Sequence, residues 1–527
     1  MARQPVEKLI KRHQSAFQKK DLWYDLLSDA FEYALPQRNM YKTRQAGAKK
    51  VDRVFDSTAQ AGLISFANRI QSELMPPFQR WAQLAAGPLV PAEARESVNK
   101  QLEEVNEKLF AVLQSSNFDN ANNEVLLELG IGTGAMLVLE GELDQIVNYI
   151  PVPLEQIALE EGPWGGVSAV FRKHKVAARN IEEQWPDAKL PDVLTRKVTA
   201  TPDEEIELME MSYQARGEMR WYYDVIHAGE KVRLVEREYH EQPWITPRWI
   251  KVAGETLGRG PVIQALPDIK TVNKIVELVL KNAALHISGV YTGRDDGVLN
   301  PNTVVISPGA VIAVRDNAGP RGPSLQALPR SGTFDLAQLQ YQETVAAIKR
   351  LLLDNRLPPD AGPVRSATEI IERVKELVQD IGAPFGRLMT EYITPLINRT
   401  LGIMQRKGII QPIKVNGLTV QIQVVSPLAQ VQNMNDVEAI IRWLSIIGSY
   451  GQELLYLSAK VEDIGPELGR KLGVPSKFIR SVDEREALQK MAGALAAQQA
   501  QPVATGSPVN AQSATVAAGA AGLSLAA

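Results

Sequence analysis

Two helical stretches flanking a Gly- and Pro-punctuated insert constrain this chain more than any other feature of its sequence. In "LPDIKTVNKIVELVLKNAALHIS", Ile269, Val272, Val276, Val279 and Ala283 recur on one face, with Lys270, Lys274, Glu277 and Lys281 opposite and Pro267-Asp268 suited to a first turn. In "FDLAQLQYQETVAAIKRLLL", Tyr341, Val345, Ile348 and Leu352 form the apolar stripe, opposite Gln340, Glu343, Ala347 and Arg350. At about 1.5 Å per residue each helix reaches roughly 30 Å. Both are two-faced: one side packs, and the other is a solvated face or meets a charged partner.

After the second helix, "DNRLPPDAGPVRSATEI" is too rich in Pro and Gly for helix, and Ser366-Ala367-Thr368-Glu369 is a capping box that starts a new one. Its stripe is Ile370, Val374, Leu377 and Ile381, then Met389, Tyr392, Leu396 and Leu401 toward Gly408, with kinks expected at Pro384 and Pro395. "IKVNGLTVQIQVVSP" reads as a hairpin about Asn416-Gly417, and residues 435–490 as helical. Residues 491–527 contain no charged residue and are mostly Ala, Gln, Gly, Ser and Val, so they read as a flexible tail.

The first 130 residues read as helices. Asp56 or Ser57 can cap one carrying Leu63, Ala67, Ile70 and Leu74, which Pro76-Pro77 ends; another runs from Pro91 to Ser115. From there to Lys251 the pattern is β-rich, with "GVSAVFRK", "MRWYYDVIH", "KVRLVEREY" and "WITPRWIKV" as strands. Trp164, Trp185, Trp221, Trp244 and Trp249 in this part read as core or interface anchors, with base stacking as the alternative. The fold class is α+β, mainly helical.

Glu128-Leu129-Gly130-Ile131-Gly132-Thr133-Gly134 resembles the glycine loop that cradles S-adenosylmethionine in methyltransferases, which makes that enzyme class the alternative function. A cofactor loop needs strand, glycine turn, helix, so that a helix N-terminus faces the ligand. Here a helical pattern precedes the glycines and the strand-like "AMLVLE" follows. That order favours a helix C-terminus and tight turn, with glycine supplying positive φ.

Composition removes further classes. There is no cysteine, so disulfides, thiol catalysis and cysteine-bound metal are out. His13, His174, His227, His240 and His286 lie without metal-ligand spacing and read as structural or surface residues, so neither metal nor cofactor is expected. No phosphate-loop or nucleophile-elbow motif is present, and the chain reads as no enzyme. Charged residues at 23% and hydrophobic residues at 45% suit a folded chain with a sizeable core. The charged amphipathic N-terminus has no signal-peptide core and no stretch is apolar enough to span a bilayer, so no membrane partner is expected.

Three passages together resemble the portal, or head-to-tail connector, proteins of short-tailed bacteriophages. They are "DSTAQAGLISFANRIQSELMPPFQRWAQL", the stretch from Gly258 to Val314, and "RSATEIIERVKE" from Arg365 to Glu376. The resemblance implies a portal fold of wing, stem, clip, channel loop and crown. It also implies a homo-oligomeric ring, a dodecamer, around a channel for double-stranded DNA. Residues 1–265 would be the wing, 266–287 and 333–353 the stem helices, 288–332 the clip and 354–366 the channel loop. Residues 367–408 would be the long kinked wing helix, 409–434 a β hairpin returning to the wing, 435–490 the crown and 491–527 the tail. The implied partners are terminase during packaging, then a tail adaptor, with major capsid and scaffold proteins around the ring. The implied location is a capsid vertex of the virion, after assembly in host cytoplasm.

A formal charge of −3 suits passage better than gripping of DNA. Candidate channel contacts are Arg356 and Arg365 on the loop, with Lys270, Lys274, Lys281, Lys349 and Arg350 on the stem. Intersubunit ion pairing is the alternative role for these charges.

Overall fold

The computed structural model describes residues 3–38, 53–141, 145–214, 220–288, 291–293, 325–327, 335–354, 382, 384–413, 415–425 and 427–471, with scattered positions from 474 to 491. Arg356, Arg365, the capping box at Ser366, most of the insert, the first half of the kinked helix and residues 492–527 lie outside the described residues.

The chain begins with α1 (Val6–Asp21), α2 (Tyr24–Ala34) and α3 (Thr58–Leu74), then β1 (Ala82–Ala86), α4 (Ala92–Ser115) and α5 (Phe118–Ile131). At the start of α3 Asp56 does the capping: its Oδ1 accepts the Thr58 N–H at 2.9 Å, while Ser57 makes no side-chain cap bond. Next come β2 (Met136–Glu140), β3 (Val147–Pro151), β4 (Ile157–Glu161), β5 (Val167–Ala177), α6 (Asn180–Gln184) and α7 (Asp192–Ala200). β6 (Glu205–Gln214), β7 (Trp221–His227), β8 (Val232–Tyr239) and the short β9 (Trp244–Ile245) complete the β-rich part. β4 to β8 form an antiparallel meander in chain order, and β3-β2-β9 a second sheet. Leu9 and Ala16 of α1 cover one face of the meander over Phe171, Met211 and Tyr213. Its other face joins the main core, where Trp185 is fully buried.

The two long helices are α8 (Pro261–Ser288) and α9 (Asp335–Leu351). Between them, β10 (Tyr291–Gly293) pairs antiparallel with β11 (Leu325–Ala327), pinching the insert near its root. α8 starts earlier than residue 266, and Pro267 lies inside it rather than in its first turn. Pro261 has the fixed φ suited to a first helical position, and the Thr271 hydroxyl donates to the Pro267 carbonyl at 2.9 Å within the continuing helix.

Downstream, a π-helical turn at Met389–Ile393 leads into α10 (Thr394–Arg406). Where a kink is expected at Pro395, the turn before it is π-helical, and such a widened turn accommodates a ring that would clash with the carbonyl four residues back. Tyr392, Leu396 and Leu401 are buried as their spacing predicts. The hairpin at 409–434 needs correcting. Its one described strand, β12 (Val420–Val424), pairs with β1 far away in sequence, Ala82 opposite Val424 and Ala86 opposite Val420. Gly417, at φ +74, turns the chain into that strand. The chain continues as α11 (Pro427–Ser449), α12 (Gln452–Ser458) and α13 (Val461–Lys471).

Candidate nucleic-acid interface

The α8–α9 pair is tied to the segment leading into α3 by polar bonds that the apolar stripes do not reveal. Asn273 of α8 is buried; its Oδ1 accepts the Phe55 N–H at 2.6 Å and its Nδ2 donates to the Arg53 carbonyl at 2.8 Å. From α9, the Tyr341 hydroxyl donates to Asp56 Oδ2 at 3.1 Å. Two elements thus hold the segment that leads into α3. Leu352 fills the notch left by Gly62, where a Cβ would stand 2.6 Å from its Cδ1.

α9 ends in a Schellman turn. The Leu353 N–H donates to the Arg350 carbonyl at 3.1 Å and the Asp354 N–H to the Lys349 carbonyl at 2.8 Å. Leu353 takes the left-handed position, φ 56, usually held by glycine. Left-handed backbone costs a non-glycine residue about 1–2 kcal/mol. Burial of the Leu353 side chain and a 2.6 Å bond from Arg69 to its carbonyl offset that strain.

The stem candidates divide into two sets. Lys270 pairs with Asp29 of α2 at 2.5 Å, while Lys274 and Lys281 share Glu277 at 3.0 and 2.5 Å. Those two ammonium groups hold the Glu277 carboxyl below its ordinary range, chiefly by hydrogen bonding. Lys349 and Arg350 are exposed and make no ion pair among the described residues. They also stand in the last turn of α9, where cations complement the helix dipole.

The glycine turn closes on protein. Gly134 N–H donates to the Pro247 carbonyl at 3.0 Å, Trp249 N–H to the Gly132 carbonyl at 3.0 Å, and Gly260 N–H to the Ile131 carbonyl at 2.8 Å. The Thr133 hydroxyl accepts from Gly258 N–H at 2.8 Å. None of Gly130, Gly132 and Gly134 lies in the left-handed region, so the expectation of positive φ is corrected. These glycines serve close approach, and α5 precedes them while β2 follows. Glu128 is buried, accepting from Leu154 N–H at 2.8 Å and Arg38 at 3.1 Å, and burial raises its pKa to about 7.

This frame carries its family's signature along nearly its whole length. The sequence pattern of the family described as "Bacteriophage head to tail connecting protein" matches residues 6–479. The chain belongs to that family. The probable portal protein of Bordetella phage BPP-1 is 22% identical over 472 residues, which cover 85% of this chain and 84% of that one. The portal protein of Salmonella phage epsilon15 is 22% identical over 477 residues, 86% and 84% of the two chains. A chain from the neck of an empty gene transfer agent particle overlays with a TM-score of 0.37 at 12% identity, over 80% of this chain and 90% of that one. That overlay is loose, and the assignment rests on the sequence match.

The role of the connector is structural, that of a portal. Among the described residues no cluster of His, Asp or Glu could hold a metal, and no helix is long and apolar enough to cross a membrane. Burial takes the His13 pKa down to about 4 and the His174 pKa to about 3. Trp185, Trp244 and Trp249 are core residues, whereas Trp164 is 96% exposed at the β4–β5 tip. The connector holds that tip from behind: the buried Arg248 and the half-buried Lys251 both reach the Gly165 carbonyl.

Proposed function

We propose that about twelve copies of this chain close into a ring at one vertex of the capsid, and that double-stranded DNA enters and leaves through its axis. The α8–α9 pair is the stem, the insert at 288–332 the clip and residues 354–366 the channel loop. Terminase docks during packaging and a tail adaptor afterwards, capsid and scaffold proteins surround the ring, and assembly takes place in host cytoplasm. The observation that carries this reading is how α8 emerges from the body. Ile269 and Val272 are buried, Val276 and Val279 only half-buried, and Leu278 and Leu280 are 54% and 53% exposed. A helix apolar on several sides at its far end wants lateral neighbours. Electron microscopy of the purified full chain tests this reading: end-on rings with a central hole are expected, and a monomer at every concentration would overturn it.

A further inference from the structure

We propose that the helical appendage at residues 438–471 is folded by its neighbours: the flank of α11 bearing Trp443 and Ile446 packs on the opposite flank, bearing Ile441, of the same helix in the adjacent copy. This rests on the ring reading above and supplies one of its lateral contacts. α11 leaves the body after Val437, which is 6% exposed. From there to residue 469 no side chain that the structure describes is buried. The inner stripe of Ile440, Leu444 and Ile447 is half-buried, and α11 packs with α12 and α13. A second stripe starts at Ala439 and runs through Trp443, Ile446 and Tyr450, the last three 42%, 53% and 76% exposed. Glu438, Arg442, Ser445 and Ser449 occupy a separate polar sector.

Leu454 at 47% and Leu457 at 85% exposure add to the apolar side chains that the appendage leaves uncovered. A helical arm with no buried side chain among those described gains little burial of its own against the entropy of ordering it. The second copy is favoured over other occupants by symmetry. A closed ring of more than two copies uses heterologous contacts, so each copy needs two different adhesive faces. α11 has both, because Ile441, 54% exposed, lies about 200° around the axis from Trp443. A docked tail or foreign helix would need only one. The outer stripe itself carries no cation for phosphate.

The chain has no cysteine, so an Ile441→Cys/Trp443→Cys variant offers two thiols that diverge on one helix and cannot bridge within a chain. With a short thiol crosslinker, rings of this variant should give a ladder of covalent multimers, and neither single variant should. Rings verified by native mass that give no ladder overturn the contact. On the unaltered chain, amides of 439–457 should exchange at least ~100-fold slower in rings than in dissociated protomers. Equal exchange in the two states also overturns the proposal. An unaltered chain that stays monomeric at every concentration instead defeats the ring reading itself, and the contact with it.

Discussion

Gly132 and Gly258 meet backbone to backbone: a Cβ on Gly132 would stand 2.2 Å from the Gly258 carbonyl oxygen, and one on Gly258 2.4 Å from that of Gly132. Neither obstacle is a side chain that could turn aside. Gly132→Ala should therefore cost about 3 kcal/mol or more, at or beyond the usual range for overpacking, and Gly132→Val should prevent soluble folding. Chemical denaturation checks the first and expression the second. Titration of the parent chain with S-adenosylmethionine should show no binding, since the amides around the turn are spent on Pro247, Ile131 and Thr133.

Arg248 is fully buried and bonded to both Glu391 oxygens, at 3.0 and 2.6 Å, while Glu391 also takes Arg387 at 3.0 Å. Removing the carboxylate strands a guanidinium in the core. Glu391→Ala should cost about 3–5 kcal/mol, and the double variant Arg248→Leu/Glu391→Ala should recover part of that loss. Denaturation midpoints of the four proteins of the cycle give the answer; a double variant as unstable as the sum of the singles would deny the coupling. Because Arg248 and Lys251 also hold Gly165, the same substitutions should loosen the Trp164 tip, read from its fluorescence.

His13 and His174 set an acid limit. Burial lowers their pKa values from 6.5 to about 4 and about 3, so the unfolded chain takes up protons that the folded chain refuses. Their stabilisation is complete above pH 6.5 and falls as pH drops toward those values, by at most about 1.4 kcal/mol per pH unit for each histidine. Glu128 acts with the opposite sign: with its pKa raised to about 7, its stabilisation is complete below pH 4.5 and is lost as pH rises through 7. The histidine contribution is isolated by the difference between parent and His13→Leu/His174→Leu. The melting temperature of the variant should fall less steeply between pH 6.5 and 4, and parallel curves would assign the acid loss elsewhere.

Most helices were legible because their apolar residues recur at the helical period: α4 ends at Ser115 as its stripe predicts, and Ile348 and Leu352 are buried as spacing requires. The β1–β12 pairing was not legible, since "AQLAA" has little strand character and its partner lies over 300 residues away. Local turn chemistry at Asn416-Gly417 suggested a hairpin, and long-range pairing prevailed. The glycine turn was legible in element order but not in cause, because close approach depends on Gly258 and Gly260 arriving from elsewhere in the chain. Asn273, adjoining an apolar stripe, was the available sign that α8 is pinned by polar bonds. Leu353 gave none, as a leucine does not announce a left-handed turn.

The division among the stem cations makes the sharpest test of the channel. An exposed ion pair contributes only about 0–1 kcal/mol, so Lys270, Lys274 and Lys281 can exchange partners, but each must leave a carboxylate to meet a phosphate. Lys349 and Arg350 have no such partner among the described residues, so they should carry more of any contact with passing DNA. Their reach is limited to a Debye length of about 8 Å at physiological salt. Lys349→Ala/Arg350→Ala should leave rings intact and reduce DNA retention in filled particles, more strongly at low salt. Lys274→Ala/Lys281→Ala should have the smaller effect, and Arg356→Ala/Arg365→Ala tests the loop in the same assay. Microscopy of the rings comes first, then DNA content of particles assembled with each variant. Normal retention in the Lys349/Arg350 variant would leave those two residues as dipole-complementing charges at the end of α9, and loss of its rings would make them intersubunit bridges.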